Sequence, residues 1–341
     1  RRAQRAGAYT DAISHAKTII YSLEQLPLTP ENQKQIIDAR TVLASYFLGL
    51  NRHLEAKEAV EPIVDMTVAL DYRKRLPGIY VVLGSYYLAV EKYDKTYEYL
   101  YQAIDIAEKT GDWFNLWNGN YFLGCALSIQ CQFEKAIDCF NTSLRLSEMG
   151  NNLHGIALVK GTMSAFALSF YGKFDAASVL SREAVQTADK CGDTHTKGGA
   201  YATHGSVCFF KGDFELACRF LTEAIDLCSK SGHTFWRAWA ELWFANNLFF
   251  TQCNKEAIEY YTRAISSVND MGQTQHWMSY AQLSLKRAIL VDGGTITPAF
   301  EPETYRRENK VKLNEGIIES TIADILIKLD PKFIPEAEAA V

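Results

Sequence analysis

The sequence predicts an all-α solenoid of helix hairpins that repeat about every 40 residues along a 341-residue chain. Three observations predict it. A small side chain recurs at Ala56, Thr96, Ala136, Ala177, Ala217 and Ala257, in steps of 40, 40, 41, 40 and 40 residues. A second small residue stands twelve positions before each of these: Ala44, Gly84, Gly124, Ala165, Gly205 and Ala245. Glycines at 111, 150, 192, 232 and 272 punctuate the pattern at nearly the same interval. Self-similarity at a fixed period of this length is the mark of a repeat architecture.

Each element follows from this register. Five segments read alike, beginning at Glu91, Cys131, Gly172, Gly212 and Gln252. Each opens a helix that carries another small residue seven positions beyond the recurring one: Ala103, Ser143, Ala184, Ala224 and Ala264. Gly111, Gly150, Gly192, Gly232 and Gly272 are expected to close these second helices, because glycine adopts positive φ freely. The small residue twelve positions upstream lies on the preceding helix, where the two helices must approach closely. A larger side chain there would overpack the crossing, at a cost of about 1–3 kcal/mol. One unit is therefore a first helix, a turn, a second helix and a loop. A single hairpin cannot bury its apolar face, whereas stacked copies bury a continuous core.

Composition agrees. Hydrophobic residues make up 48% and charged residues 22%, enough apolar material for a large core. The net charge of −5 and a pI near 5.9 lack the basic balance of a nucleic-acid binder. No apolar run reaches the length of a bilayer span. The chain opens Arg1-Arg2-Ala3 without a signal peptide, which reads as a segment of a longer, cytoplasmic protein. The eight cysteines form no Cys-x-x-Cys pair and fall mostly within apolar helical pattern, as small buried side chains in a reducing compartment.

The register Tyr80-x2-Leu83-Gly84-x2-Tyr87, then Thr96, Leu100 and Ala103, resembles the tetratricopeptide repeat. The usual unit is about 34 residues, so the extra residues here lengthen the helices by somewhat more than one turn in total. The resemblance implies a right-handed superhelical solenoid. The N-terminal run Ala6-Gly7-Ala8-Tyr9, Asp11-Ala12-Ile13, Leu26-Pro27, Thr29-Pro30-Glu31-Asn32-Gln33 and Ile37-Asp38 with Arg40 resembles a particular context. It is the region following the ATPase module of bacterial proteins that join a class III adenylate/guanylate cyclase domain, an AAA-type ATPase and a helical repeat tail. Residues 1–28 are read as a partial first repeat. Residues 29–290 are read as about six long repeats plus the first helix of a seventh, and 291–341 as an irregular linker and an amphipathic helix. Thr29 is a candidate N-cap, with Pro30 at the first helical position.

The tail departs from the period. A first helix is expected over Gln275–Leu290, but Gly293-Gly294, Pro298 and Pro302 stand where its partner should begin. Ile318, Ile322, Ile325, Leu326 and Leu329 then give one apolar helical face. This is either an insertion inside a degenerate last repeat or a docking element for a neighbouring domain.

Catalytic patterns are sparse. No Gly-x4-Gly-Lys-Ser/Thr loop and no His-Glu-x-x-His occur, and no Ser/His/Asp set has supporting context. His154, His195, His233 and His276 recur near the starts of first helices. Helices pack about 8–10 Å apart, so equivalent positions should lie too far apart to share an ion. The expectation is a non-enzyme without cofactor or metal.

A binding face is the better candidate. In tetratricopeptide families the first helices line a concave groove. The resemblance places Asn118, Tyr121, Cys125 and Ser128 there, then Thr162, Phe166, Ser169 and Phe170. Ala202, Ser206, Phe209 and Phe210 follow, and then Trp239, Leu242, Asn246, Phe249 and Phe250. The narrower candidate set is Asn118, Tyr121, Thr162, Phe166, Phe170, Ser206, Phe210, Trp239, Asn246 and Phe250. No Lys or Arg occupies these positions, unlike the cationic clamps that hold a C-terminal carboxylate. Trp236, Trp239 and Trp243 form one stripe by their three-four spacing, and such a stripe also suits core packing.

The functional expectation is a regulatory interaction module of a signalling protein. It would bind a protein or peptide segment, or other domains of its own chain, with no nucleic acid or membrane partner. The alternatives are a solenoid that senses a small effector or peptide, and a self-association module.

Overall fold

The computed structural model describes residues 5–270, 277–296 and 300–330. Gly272, His276, Pro298 and the start of the helix expected from Gln275 lie outside them. The described residues are all-α, without a strand. Their helices are α1 (Arg5–Glu24), α2 (Pro30–Gly49), α3 (His53–Val60), α4 (Val64–Ala69), α5 (Leu76–Ala89), α6 (Tyr93–Thr110), α7 (Trp113–Ile129) and α8 (Phe133–Met149). The series continues with α9 (Leu153–Thr162), α10 (Phe174–Cys191), α11 (Thr194–Phe210), α12 (Phe214–Ser231), α13 (Thr234–Phe250) and α14 (Asn254–Asp270). It ends with α15 (Met278–Val291), α16 (Pro302–Glu308) and α17 (Glu315–Leu329).

The backbone keeps the period that the side chains announce. Five residues before each recurring small residue, φ is positive: Asn51, Glu91, Cys131, Gly172, Gly212 and Gln252. This is the turn between the two helices of a hairpin. Fifteen residues after the small residue φ is positive again, at Asp71, Gly111, Asn151, Gly192 and Gly232. This is the loop to the next hairpin. Gly150, expected to close its helix, does not fill that role; its neighbour Asn151 takes the left-handed conformation with φ of 50°. Asparagine tolerates that region through local hydrogen bonding of its short side chain.

All three small-residue series are buried. A methyl group added at Gly84 would lie 2.7 Å from Leu100, at Gly124 2.9 Å from Phe140, and at Gly205 2.7 Å from Leu221. The three large side chains are fully buried. The glycines are thus required by contact with the second helix of their own hairpin.

The single 41-residue step has a structural cause. Asn151 and Gly172 are 21 residues apart, whereas Gly111–Cys131, Gly192–Gly212 and Gly232–Gln252 are each 20. The extra residue is absorbed where α9 widens into a π-helical segment, Met163–Leu168. There the Ser169 amide donates to Ser164 O, five residues back, at 3.0 Å. A π turn takes in one residue without changing which face the following residues present. The turn at Gly172 therefore meets its partner helix as Gly212 does.

The chain divides into two compact units, residues 1–126 with 134–159, and residues 127–133 with 160–341. In the first unit α1 packs on α2, α2 on α3, and α5 on α6. Thr29 caps α2 by accepting from the Asn32 amide at 3.2 Å, with Pro30 in the first turn. Asn32 then donates to Leu23 O and Pro27 O and ties down the α1–α2 loop. In the second unit α10–α11, α11–α12, α12–α13, α13–α14 and α14–α15 pack in succession.

The last hairpin of this unit is completed late. α17 packs on α15 as its second helix. Ile318, Ile322, Ile325 and Leu326 are buried, and Arg287 of α15 is paired with Asp324 at 3.1 Å. Leu329, expected on the same face, is exposed at the helix end. Residues 292–314 form the insertion between the two helices.

Candidate functional site

In the second unit the first helices bring their aromatic residues together. Trp236, Trp239 and Trp243 occupy successive turns of α13 and are buried. Phe166, on the π-helical segment, stacks on Trp239 with centroids 4.6 Å apart and planes 20° apart. Trp239 meets the edges of Trp243 at 5.5 Å and of Trp277 at 5.1 Å. Phe170 meets Phe210 edge-on at 5.0 Å, and Phe210 lies 4.5 Å from Trp243. Offset and edge-on arrangements are those favoured by the ring quadrupole, each worth about 0.5–1.5 kcal/mol beyond area burial.

These rings line a small cavity. Phe166, Phe170, Trp239, Leu242, Trp243, Trp277 and Tyr280 form most of its wall, with Ile129 at one side. The remaining wall is not a first helix at all. It is Val311, Leu313, Asn314 and Ile317 from the inserted segment and the start of α17. The space left over, about 20 Å³ for the centre of a water-sized sphere, holds roughly a single water. The aromatic face is therefore already covered by the chain itself.

Polar atoms on this face are few. The Trp239 indole N–H donates to Ser206 Oγ at 3.3 Å, and Ser206 donates to Thr203 O. The indole N–H groups of Trp243 and Trp277 are buried with no hydrogen-bond partner among the described residues. A buried donor left unpaired costs about 1–3 kcal/mol.

The candidates inferred from the sequence divide into four sets. Phe166, Phe170 and Trp239 line the cavity together, and Phe210 supports Phe170 from behind. Thr162, Ser206 and Asn246 are buried, and Asn246 serves the packing of α13, α14 and α15. Its Oδ1 accepts from Tyr261 at 2.9 Å and Tyr280 at 2.6 Å, while its Nδ2 donates to Leu242 O. Phe250 is exposed at the end of α13, against Phe209 and stacked near Phe214. Asn118 and Tyr121 belong to the first unit. There Asn118 donates to Phe114 O, and Tyr121 stacks on Trp117 at 5.4 Å.

Sequence reasoning missed two contributors. One is the inserted segment, whose Val311, Leu313 and Ile317 have no place in the period. The other is Arg287, whose guanidinium sits 4.3 Å from the Phe249 ring centroid and 5.9 Å from that of Phe250. The groove positions themselves lack cations, but a neighbouring helix supplies one to the Phe-Phe pair.

His195 and His233 stack with centroids 4.1 Å apart. They are not equivalent in the 40-residue register: His195 is the second residue of α11, whereas His233 immediately precedes α13. Among the described residues no group of three or more His, Cys, Asp or Glu is arranged to hold a metal. The eight cysteines are free thiols. Burial pushes Cys125 and Cys228 up to about 12, and Cys139 and Cys208 up to about 11, so these four stay protonated and unreactive near neutrality. No described helix is long and apolar enough to cross a membrane.

Comparison with curated proteins finds no match in sequence. Solved structures are similar in fold. A Rap protein complexed with Competence and Sporulation Factor aligns over 98% of this chain and 96% of its own, at a TM-score of 0.66 and 11% identity. The apo form of RapI aligns over the same shares at 0.53 and 12%. BtubC (BKLC) from P. vanneervenii aligns over 65% of this chain and 91% of its own, at 0.51 and 18%. Identities this low speak to fold alone. The sequence evidence is more specific: residues 77–110 and 198–231 match the tetratricopeptide repeat model, and the chain carries tetratricopeptide repeats.

Proposed function

We propose that this chain is a non-catalytic interaction and regulatory module that binds a segment of a partner protein, or a peptide, on the aromatic face of its second unit. The observation that carries the reading is the convergence of Phe166, Phe170, Trp239, Trp243 and Trp277 from three first helices onto one face. Rigid aromatic anchors are the side chains that most often dominate binding energy at interfaces. The Rap protein of similar fold was solved complexed with Competence and Sporulation Factor, which supports a binding role for this architecture. The resemblance of residues 6–40 supports placement in a bacterial, cytoplasmic signalling protein with cyclase and ATPase modules. Residues 29–290 are then its repeat array.

The test is quantitative capture of partners from extract of the source cell. Phe170→Ala with Phe210→Ala changes two half-buried rings and should keep helix content by circular dichroism. Capture should fall at least tenfold. Undiminished capture by this folded variant would remove the aromatic face from the reading.

A second reading, a sensor of a small effector, is favoured by the unpaired indole donors of Trp243 and Trp277. An effector carrying carbonyl or carboxylate acceptors would satisfy them. A thermal-shift screen across metabolite classes checks it. A ligand at 100 times its dissociation constant should add about 2.7 kcal/mol of stability. No shift from any acceptor-bearing class would dismiss it.

A further inference from the structure

We propose that residues 309–317 are a built-in occupant of the aromatic face, and that the partner is a segment of the same chemistry that displaces them. That chemistry is a short 3-10 turn running into a helix, with aliphatic side chains spaced like Val311, Leu313 and Ile317 and a polar residue like Asn314 among them. The proposal rests on the reading of this face as the binding site.

The observations begin with the insertion. A hairpin of this chain needs only a short turn between its helices, as at Gly212. The last hairpin instead spends residues 292–314 between α15 and α17. The final part of that excursion runs over the aromatic face. Val311 is 2% exposed and Asn314 7% exposed, although neither stands in a regular α-helix. Lys312 between them is exposed, and Leu313 is half-buried. A segment that sends its aliphatic side chains inward and its lysine outward is docked in a groove as a bound peptide would be.

The strap is fastened in a way that permits release. Its bend is closed within itself: the Val311 amide donates to Asn309 Oδ1, and Asn309 Nδ2 donates to Val311 O. Lifting it off leaves those bonds intact. Gln130 Nε2 donates to Lys310 O at 3.3 Å across to the scaffold. Upstream, Arg306 holds Glu319 of α17 through three contacts of 2.8–3.1 Å and also pairs with Glu303. The strap thus hangs between a clasp on α17 and the aromatic face. Beyond its first turn α17 is held on α15 by its own buried residues, Ile318, Ile322, Ile325 and Leu326. With the strap seated, its own side chains occupy most of the aromatic face, so a partner segment that buries several side chains there must take its place.

The experiment uses the whole chain. Val311→Ser with Leu313→Ser removes the two aliphatic anchors and leaves the α17 face untouched. A fluorescent peptide spanning residues 308–318 is then added to this variant and to the unaltered chain, with anisotropy as the readout. The peptide should bind the variant at least tenfold more tightly than the unaltered chain. The same peptide carrying both serine changes should bind neither. In the variant, acrylamide quenching of tryptophan emission should rise, and the peptide should reverse that rise. Equal affinity for both chains, or no binding to a variant of unchanged helix content, overturns the proposal.

If the variant loses helix content, hydrogen exchange on the unaltered chain decides. Amides of residues 309–314 exchanging at least tenfold faster than those of α15 and of α17 beyond its first turn support release. Exchange together with those helices shows a permanent part of the core and overturns it. Capture of a partner by the unaltered chain with strap exchange unchanged also overturns it, while leaving the proposed function standing.

Discussion

Tyr280 donates a 2.6 Å hydrogen bond to Asn246 Oδ1, joining the first helices of the last two hairpins at a point with no access to solvent. Tyr261 donates to the same oxygen from α14. One carbonyl oxygen with two lone pairs thus anchors three helices. Tyr280→Phe removes one of two donors and leaves the oxygen bonded, so it should cost about 0.5–1.5 kcal/mol in a urea melt. Asn246→Ala takes the shared acceptor from both buried tyrosines. It should cost more than the sum of Tyr280→Phe and Tyr261→Phe. A cost for Asn246→Ala no larger than that of either single tyrosine change would show that the shared oxygen is not the anchor.

That relationship also shows where reading the sequence stops. The repeat was legible because helix crossings demand small residues at one spacing, and Ala56 through Ala257 keep that spacing to within one residue. The odd step was legible as a number, but its resolution into a π turn at Met163–Leu168 was not, because a loop could have absorbed it equally well. Groove positions were legible only as a helix face. Asn246 and Phe166 both stand on first helices at positions the resemblance assigns to the groove, and burial turns one into core and the other into cavity wall. The strap was illegible because Val311-Lys312-Leu313 is too short to carry a period and docks by contact with residues more than thirty positions away.

Gly205 is where the small-residue rule is most exacting. A Cβ there would meet Leu221 Cγ at 2.7 Å and the Leu221 amide nitrogen at 3.1 Å. Alanine gains about 1 kcal/mol of helix propensity over glycine. Overpacking against a branched carbon and backbone costs about 1–3 kcal/mol and should prevail. Gly205→Ala is expected to lower the denaturation midpoint; Leu221→Ala alone should cost about 2–5 kcal/mol, and the two together less than the sum of the single changes, through relief of the clash. A double variant less stable than the sum of the two single changes would deny the contact its role.

Gln252 occupies the turn position that Gly172 and Gly212 fill elsewhere, at φ of 66° with its side chain exposed. A non-glycine residue in that region pays about 1–2 kcal/mol of steric strain. Glycine relieves it but adds freedom to the unfolded chain, so the net gain for Gln252→Gly should be about 0.5–1 kcal/mol. A thermal melt showing a raised midpoint checks it. Gly212→Gln, the reverse change one hairpin earlier, should lower stability by a similar amount. A neutral result in both directions would mean that these turns carry no strain.

His204 supplies the pH dependence that can be worked out with its sign. Its ring is buried between α10 and α12, with Nδ1 2.8 Å from Ser181 Oγ, Nε2 3.7 Å from Cys208 Sγ, and Phe220 edge-on at 4.5 Å. Ser181 Oγ also lies 3.2 Å from Ser178 O. A consistent assignment has Ser181 donating to Ser178, Nδ1–H donating to Ser181, and Nε2 accepting from the thiol. The imidazole is then neutral. Burial, followed by the nearby Arg182 and Arg219, lowers its pKa from 6.5 to about 4. Above pH 6.5 both folded and unfolded chains hold it neutral, and the group adds no slope. Between 6.5 and 4 the unfolded chain takes up a proton that the folded chain refuses, so stability falls as pH falls. At pH 5 the loss from this residue should be about 2 kcal/mol, and it should level off near 3 kcal/mol below pH 4. His204→Gln loses the ring packing at every pH but cannot titrate. Urea midpoints for both chains at pH 8 and pH 5 should therefore converge on the acid side. Parallel acid slopes in the two chains would show that His204 is protonated in the fold at its ordinary pH.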